Sequence, residues 1–207
     1  AINNNTTVSV ATIAVTPTAN GCPGHTQRFT ITVNPTPTVS DPADQTICNG
    51  ANTTAVTFTG TATSYDWVND TPSIGLAASG TGNIGVFAAT NATAAPVTAT
   101  ITVTPKYTFS AVTCAGPTQS FTITVQPTPT VAVVANQEVC NGGAVAAVNF
   151  VGIAGGTFSW TNDTPSIGLP ASGTGNIASF TAVNAGAAPV TATIVVTPLY
   201  GACSGST

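Results

Sequence analysis

The chain has 207 residues, of which only two are basic and six acidic, for a formal net charge of −4. Charge this sparse excludes a basic surface for nucleic acid or for an anionic membrane. Apolar residues alternate with threonine and never run on, which excludes both a disordered segment and membrane insertion by a helix.

The first 34 residues close on Phe29-Thr30-Ile31-Thr32-Val33, an alternating strand, and lead into a Pro-Thr-Pro-Thr run at 35–38. From there seven strands are expected: 37–47 (A), 54–59 (B), 63–68 (C), 72–77 (C′ or D), 83–90 (E), 96–104 (F) and 118–126 (G). Strand F is the clearest: Val97, Ala99, Ile101 and Val103 share one face and threonines the other. Val56 with Phe58 and Tyr65 with Trp67 form further inward pairs. Seven short strands with Trp67 on the third predict an immunoglobulin-like β-sandwich, with Trp67 in the core near Phe58, Ile101 and Phe121.

Beyond residue 128 the pattern begins again. TPSIGLAASGTGNI at 71–84 returns at 164–177 as TPSIGLPASGTGNI, 93 residues on, with thirteen of fourteen letters kept. Trp67 returns as Trp160 and Cys48 as Cys140, and FTITV at 29–33 returns at 121–125, each time followed by Pro-Thr-Pro-Thr-Val. The phase divides the chain into the C-terminal part of one repeat (1–34, strands F and G), a complete repeat (35–128) and a repeat lacking its last strand (129–207). It reads as a window on a longer array. Prolines at alternate positions predict stiff, extended connectors.

Five cysteines occupy two repeat positions. Cys48 and Cys140 precede strand B, and Cys22, Cys114 and Cys203 lie between strands F and G. Recurrence at equivalent positions points to disulfides and an oxidising, secreted setting. Two pairings are open. Within repeats, Cys48 would join Cys114 and Cys140 would join Cys203. Across the junction, Cys48 would join Cys203. The A–B turn and F–G loop of a sandwich lie at opposite ends, about 25 Å apart, whereas a disulfide tolerates about 7 Å between Cα atoms. That favours the cross-junction staple.

Candidate chemistry is thin. Asp41, Asp44, Asp66 and Asp70 suggest calcium, but their counterparts Val133, Asn136 and Ser159 leave only Asp70 repeated, as Asp163. A turn-capping role suits that aspartate better. The Gly80-Thr81-Gly82 and Gly173-Thr174-Gly175 runs lack the lysine and helix of a phosphate loop. His25, Arg28 and Lys106 stand alone in sequence, so no catalytic, cofactor or metal site is expected. Trp67 and Trp160 are expected in the core, and Tyr107 and Tyr200, near the F–G loops, are the candidates for a glycan-binding surface. The threonine faces resemble an ice-binding array but read more simply as solvent faces of strands. Asn69-Asp70-Thr71 and Asn91-Ala92-Thr93 have the pattern of glycosylation sequons.

The string W(V/T)NDTPSIGL(A/P)ASGTGNI, then APVTATI(T/V)VTP, a cysteine-bearing loop and FTITV(N/Q)PTPTV, resembles the PKD-like repeats of very large secreted Bacteroidota surface proteins. The resemblance spans essentially the whole chain. It implies an immunoglobulin-like fold, tandem arrays, type IX secretion, and roles in adhesion or gliding motility, with no catalytic residues. The expected function is therefore an extracellular, disulfide-braced stalk or filament module, with neighbouring repeats or other copies in a fibre as partners. The alternatives are a glycan- or surface-binding module and a spacer in a secreted hydrolase.

Overall fold

The computed structural model describes residues 1–206 of the chain and is all-β apart from two short 3-10 turns. The strands are β1 (Ser9–Val15), β2 (Thr18–Ala19), β3 (Cys22–Pro23), β4 (Gln27–Val33), β5 (Gln45–Cys48), β6 (Ser64–Asn69), β7 (Ser79–Thr81), β8 (Val97–Phe109), β9 (Val112–Ala115) and β10 (Gln119–Gln126). They continue with β11 (Ala144–Val145), β12 (Thr157–Asn162), β13 (Ser172–Thr174), β14 (Phe180–Thr181), β15 (Ile194–Tyr200) and β16 (Cys203–Ser204). They form several sheets, consistent with β-sandwich architecture. β1 pairs β4, and β2 pairs β3. A six-stranded sheet runs β5-β10-β8-β6-β7 with β9 on β8. A four-stranded sheet runs β13-β12-β15-β16, and β11 pairs β14.

The chain groups into two compact units. One comprises Ala1–Gln45, Thr53–Phe87 and Ala99–Ile123, and the other Thr46–Asn52, Ala88–Thr98 and Thr124–Thr207.

Period-two burial builds the first unit. Along β8, Ala99, Ile101 and Val103 are fully buried, while the residues between them are half-exposed. Trp67 on β6 stands opposite Val103 and Gly80. Its indole lies over Gly80 so closely that a Cβ there would sit 2.2 Å from Trp67 Cζ2. The second unit repeats the arrangement with Trp160 opposite Val196 and Gly173, where a Cβ would come within 2.1 Å. Its core is Phe150, Trp160, Leu169 and Ile177, with Val148, Phe158, Ile194 and Val196 packed against them. Trp67 and Trp160 are each about 7% exposed, so both are core residues as expected.

Four expected strands take other forms. Of the expected strand 37–47 only the end is strand, in β5 (Gln45–Cys48); Pro37 and Pro42 have no N–H to give to a ladder. Residues 72–77 open with a 3-10 turn, Pro72–Ile74, closed by Gly75 at φ 97°. Proline at the first turn position and a left-handed glycine after it start and stop a helical turn, and Pro165–Ile167 repeats this. Segments 54–59 and 83–90 form no ladder; an isolated bridge joins Val56 with Ile84, and another joins Asn52, just ahead of the first segment, with Ala88. There the Asn83 side chain accepts from the Phe58 N–H at 2.9 Å, a side-chain bond in place of a ladder. The F–G connection of the middle copy is not a loose loop. β8 and β9 form a hairpin in register from Lys106 with Ala115 to Phe109 with Val112.

The tryptophan–glycine contact predicts a sharp size limit. Gly80→Ala should lower stability by about 1–3 kcal/mol through overpacking. Gly85→Ala, with nothing within 4 Å of its Cβ position, should change it by less than about 0.5 kcal/mol. Urea unfolding followed by tryptophan fluorescence checks both.

Candidate functional site

The most organised polar region is a turn and a hairpin joined by sulfur, all in the second unit. The turn starts at Cys48. Gly50, at φ 82°, lets the chain reverse. Its N–H donates to Ala89 O at 2.8 Å, and Ala51 N–H donates to Cys48 O at 3.0 Å. Asn49 ties three strands of backbone together. Its N–H donates to Gln126 O (3.0 Å), its Nδ2 to Thr128 Oγ1 (2.8 Å), and its Oδ1 accepts from Asn91 N–H (2.8 Å). Asn91 is only 5% exposed, and its Nδ2 donates to Ala95 O and Val125 O, both at 2.8 Å.

The hairpin is β15–β16, in which Tyr200 faces Cys203. Gly205 N–H donates to Pro198 O at 2.9 Å. A Cβ on Gly205 would meet Pro129 O at 1.9 Å, so the hairpin seats directly on the backbone of the Pro-Thr-Pro-Thr segment. Pro127 and Pro198 are fully buried. The proline connector here is packed structure, not exposed linker. In the first unit, Gly116 is within 1.8 Å of Pro37 O by the same measure, and its N–H donates to Pro105 O at 3.0 Å.

Cys48 and Cys203 form a disulfide with Cα atoms 5.6 Å apart, closing a loop over a sequence separation of 155. Cys203 is 5% exposed. Pairing of Cys48 with Cys114 and of Cys140 with Cys203 is absent. Cys22 and Cys140 are exposed thiols and Cys114 a half-buried one. The Asn34 amide lies 3.9 Å from Cys114 Sγ.

The remaining candidates are placed as follows. Tyr107 and Tyr200 are both half-buried, each across a hairpin from a cysteine, Cys114 and Cys203 respectively. The Tyr200 ring lies against Gly155, 3.3 Å from its Cβ position. Lys106 is not isolated; it pairs with Asp66. Both side chains are more than a third exposed, so the pair contributes at most about 1 kcal/mol. Asp44 Oδ1 accepts from Thr122 N–H. Asp70 Oδ1 accepts from Thr100 N–H (2.8 Å) and Thr71 Oγ1 (2.8 Å), and Asp163 does the same with Thr193 and Thr164. These bonds, the backbone one first, hold both carboxyls below the ordinary value of 3.8. His25 is exposed on its loop. The threonine faces use their hydroxyls internally, as in Thr98 with Thr124 (2.9 Å) and Thr102 with Ser120 (3.0 Å). Asn69, like Asn91, is buried, with its Nδ2 on Leu76 O and Ala77 O, so neither sequon asparagine presents its amide. An open recess of about 370 Å³ beside Trp160 is lined by Leu169, Pro170, Thr174, Ile177 and Phe180 among others, with no titratable side chain.

Sequence reasoning passed over Asn49, Asn91 and the seating glycines. A signal existed for the glycines: Cys-x-Gly occurs at Cys22, Cys114 and Cys203 alike. Asn-Gly after Cys48 and Cys140 was equally visible.

No protein-family model matches the chain, and no curated protein matches it.

Two outcomes follow. On chain entropy, a closed loop of this length contributes up to about 5 kcal/mol. Reductant should therefore lower the denaturant midpoint of the native chain and leave a Cys48→Ser/Cys203→Ser variant unmoved. For Asp70 and Asp163, depressed folded values mean stability that is whole above about pH 3.8 and is lost as pH falls through the lower folded values. Asp70→Asn/Asp163→Asn should flatten that acid limb in a pH series of thermal melts.

Proposed function

We propose that the chain is a structural module of a large extracellular adhesin, built of immunoglobulin-like, PKD-like repeats and acting as a stiff, disulfide-braced spacer. The observation that carries the reading is the Cys48–Cys203 bond. It joins the turn of one sequence copy to the hairpin of the next, at a packed proline connector. A disulfide at such a place suits an oxidising, extracellular setting. No helix among the described residues is long and apolar enough to cross a membrane. The motif resemblance around Trp67 and Trp160 supports the same class, together with its secretion by the type IX route and its place in adhesion or gliding.

The mechanism is mechanical. Tension entering before Cys48 and leaving after Cys203 passes through the sulfur bridge, and the 155-residue span between them is relieved of load. Hydrogen bonds of Asn49 and the seating of Gly205 on Pro129 hold the bridge in line. In this reading Asp44, Asp70 and Asp163 serve the fold, each holding a backbone N–H group.

Single-molecule pulling from the two ends tests this. The oxidised chain should withhold about 500 Å of contour length, the extended span of the bridged residues, and release it on reduction. A loop whose folded core has already opened at low force in the oxidised state would overturn the spacer reading. Binding of the same chain on a polysaccharide array would instead favour the glycan-binding alternative through Tyr107 and Tyr200.

A further inference from the structure

Each sheet that carries a tryptophan ends on a short strand with an open outer edge. β7 is last in the order β5-β10-β8-β6-β7, and β13 stands at one end of β13-β12-β15-β16. Among the described residues no strand pairs on the outer side of either. The bonds to the inner neighbour fix which groups are left over. Asn162 N–H donates to Ala171 O and Gly175 N–H to Phe158 O, both at 2.8 Å. Bonded residues alternate along an antiparallel ladder. Ala171, Gly173 and Gly175 therefore face β12, and the N–H and C=O groups of Ser172 and Thr174 point outward. In the middle copy, Asn69 N–H to Ala78 O and Gly82 N–H to Tyr65 O, also at 2.8 Å, leave Ser79 and Thr81 in the same position. All four residues are exposed.

Nothing guards these edges. Proteins blunt an open edge with lysine, proline, an inward charge or a bulge. Both strands read Ser-Gly-Thr, without charge or proline, and both pair residue for residue with their inner neighbours. Each edge thus offers two donors and two acceptors on alternate residues, about 7 Å apart. That pattern is matched by the backbone of another extended chain.

The recess beside Trp160 shows what kind of chain fits. It holds about 370 Å³, runs along Ser172, Gly173 and Thr174, and is walled by Leu169, Ile177 and Phe180. A residue added opposite Gly173 carries its side chain on the face where Gly173 would carry its own. Trp160 occupies that face, because a Cβ on Gly173 would meet the indole at 2.1 Å. The side chain opposite Gly173 is therefore directed to the recess, and those opposite Ser172 and Thr174 to the outer face. A lining without a titratable side chain favours an apolar group there and disfavours a charged one. The same edge of a second copy would set glycine against Gly173 and bring no side chain to the recess. In the middle copy Val86, the counterpart of Ser179 on the recess wall, is 59% exposed and adds apolar surface beside the same edge.

We propose that the β13 edge, and the β7 edge of the middle copy, bind an extended segment of a partner polypeptide by strand addition. The segment has an apolar residue opposite Gly173 or Gly80, flanked by small uncharged residues. This goes beyond the spacer reading and does not rest on it: the module also carries a peptide-docking edge in each copy that bears a tryptophan.

The test titrates the isotope-labelled 207-residue chain with a capped peptide, Thr-Ser-Thr-Leu-Thr-Ser-Thr, and with versions carrying glycine or aspartate in place of the leucine. The leucine peptide should shift the amide signals of Ser172, Thr174, Ser79 and Thr81 and slow their exchange with deuterium. It should also shift the Nε1–H signals of Trp67 and Trp160, which find no acceptor among the described residues. The glycine peptide should bind about tenfold or more weakly, for want of a buried leucine, and the aspartate peptide should leave the signals unmoved. Thr174→Pro/Thr81→Pro removes one outward N–H from each edge and none from the inner ladders. It should keep the thermal melt and lose the response to the leucine peptide. Equal binding of the three peptides, shifts that fall along β15 or β4 instead, no shift at all, or a response that survives the two prolines would each overturn the proposal. So would concentration-dependent protection of the same four amides without peptide, which would assign the edges to a second copy. The peptide series is read on the native chain, so it decides the matter even where the proline variant fails to fold. Loss of peptide binding leaves the spacer reading standing, since that is decided by the length withheld under force.

Discussion

An indole lying flat on a glycine sets the geometry on which each core is built. Trp67 on Gly80 and Trp160 on Gly173 leave no room for even a methyl group. The ring can lie there only if the β6–β7 and β12–β13 pairs hold their register, because a one-residue slip would place serine or threonine beneath it. The opposite edge of β6 and β12 is fixed in turn against β8 and β15, which puts the apolar alternation of those long strands inward. Leu169, Ile177 and Phe150 then close around Trp160, and Leu76, Ile84 and Phe58 are buried at the equivalent positions. The choice of glycine at 80 and 173 is thus a packing requirement and not a turn preference.

A chain with so little charge must satisfy its buried backbone with neutral groups. Asparagine does this repeatedly. Asn69 and Asn162 each receive a backbone N–H at their carbonyl, from Thr71 and Thr164, and donate to two carbonyls across the following 3-10 turn. Asn91 links three separate segments in the same way. Amides fill these positions without the desolvation penalty that a carboxylate or ammonium would carry. They also hold irregular stretches such as 83–96 in place where no ladder runs. Asp70 and Asp163 are kept at surface turns, where backbone N–H groups favour their charged form.

The regular strands were legible because burial imposes period two. Expected strands at 63–68, 96–104 and 118–126 lie within β6, β8 and β10 to a residue or so at most ends, and β8 overruns only where Pro105 continues into a hairpin. The irregular edge was not legible. Segments 54–59 and 83–90 carry the same Val, Phe and Thr content, yet the Asn83 side chain takes the place of a ladder bond. Residues 72–77 look apolar and extended by composition, but Pro72 and Gly75 dictate a turn by their φ preferences. The joint was half legible. Strand order in a sandwich separated Cys48 from Cys114 and favoured Cys203, whereas Asn91 carried the pattern of a sequon and is in fact a buried clamp. Side-chain to backbone bonds of that kind leave no periodic trace in a sequence.

The span of the sulfur bridge also has a consequence in time. Cys48 leaves the ribosome 155 residues before the thiol it will bond. At about 5–20 residues per second that is roughly 8–30 s. Cys114 emerges first and is left unbonded. Shape and not order of arrival therefore selects the partner. A bond from Cys48 to Cys114 made ahead of folding has to be exchanged by thiolate attack before the joint can close.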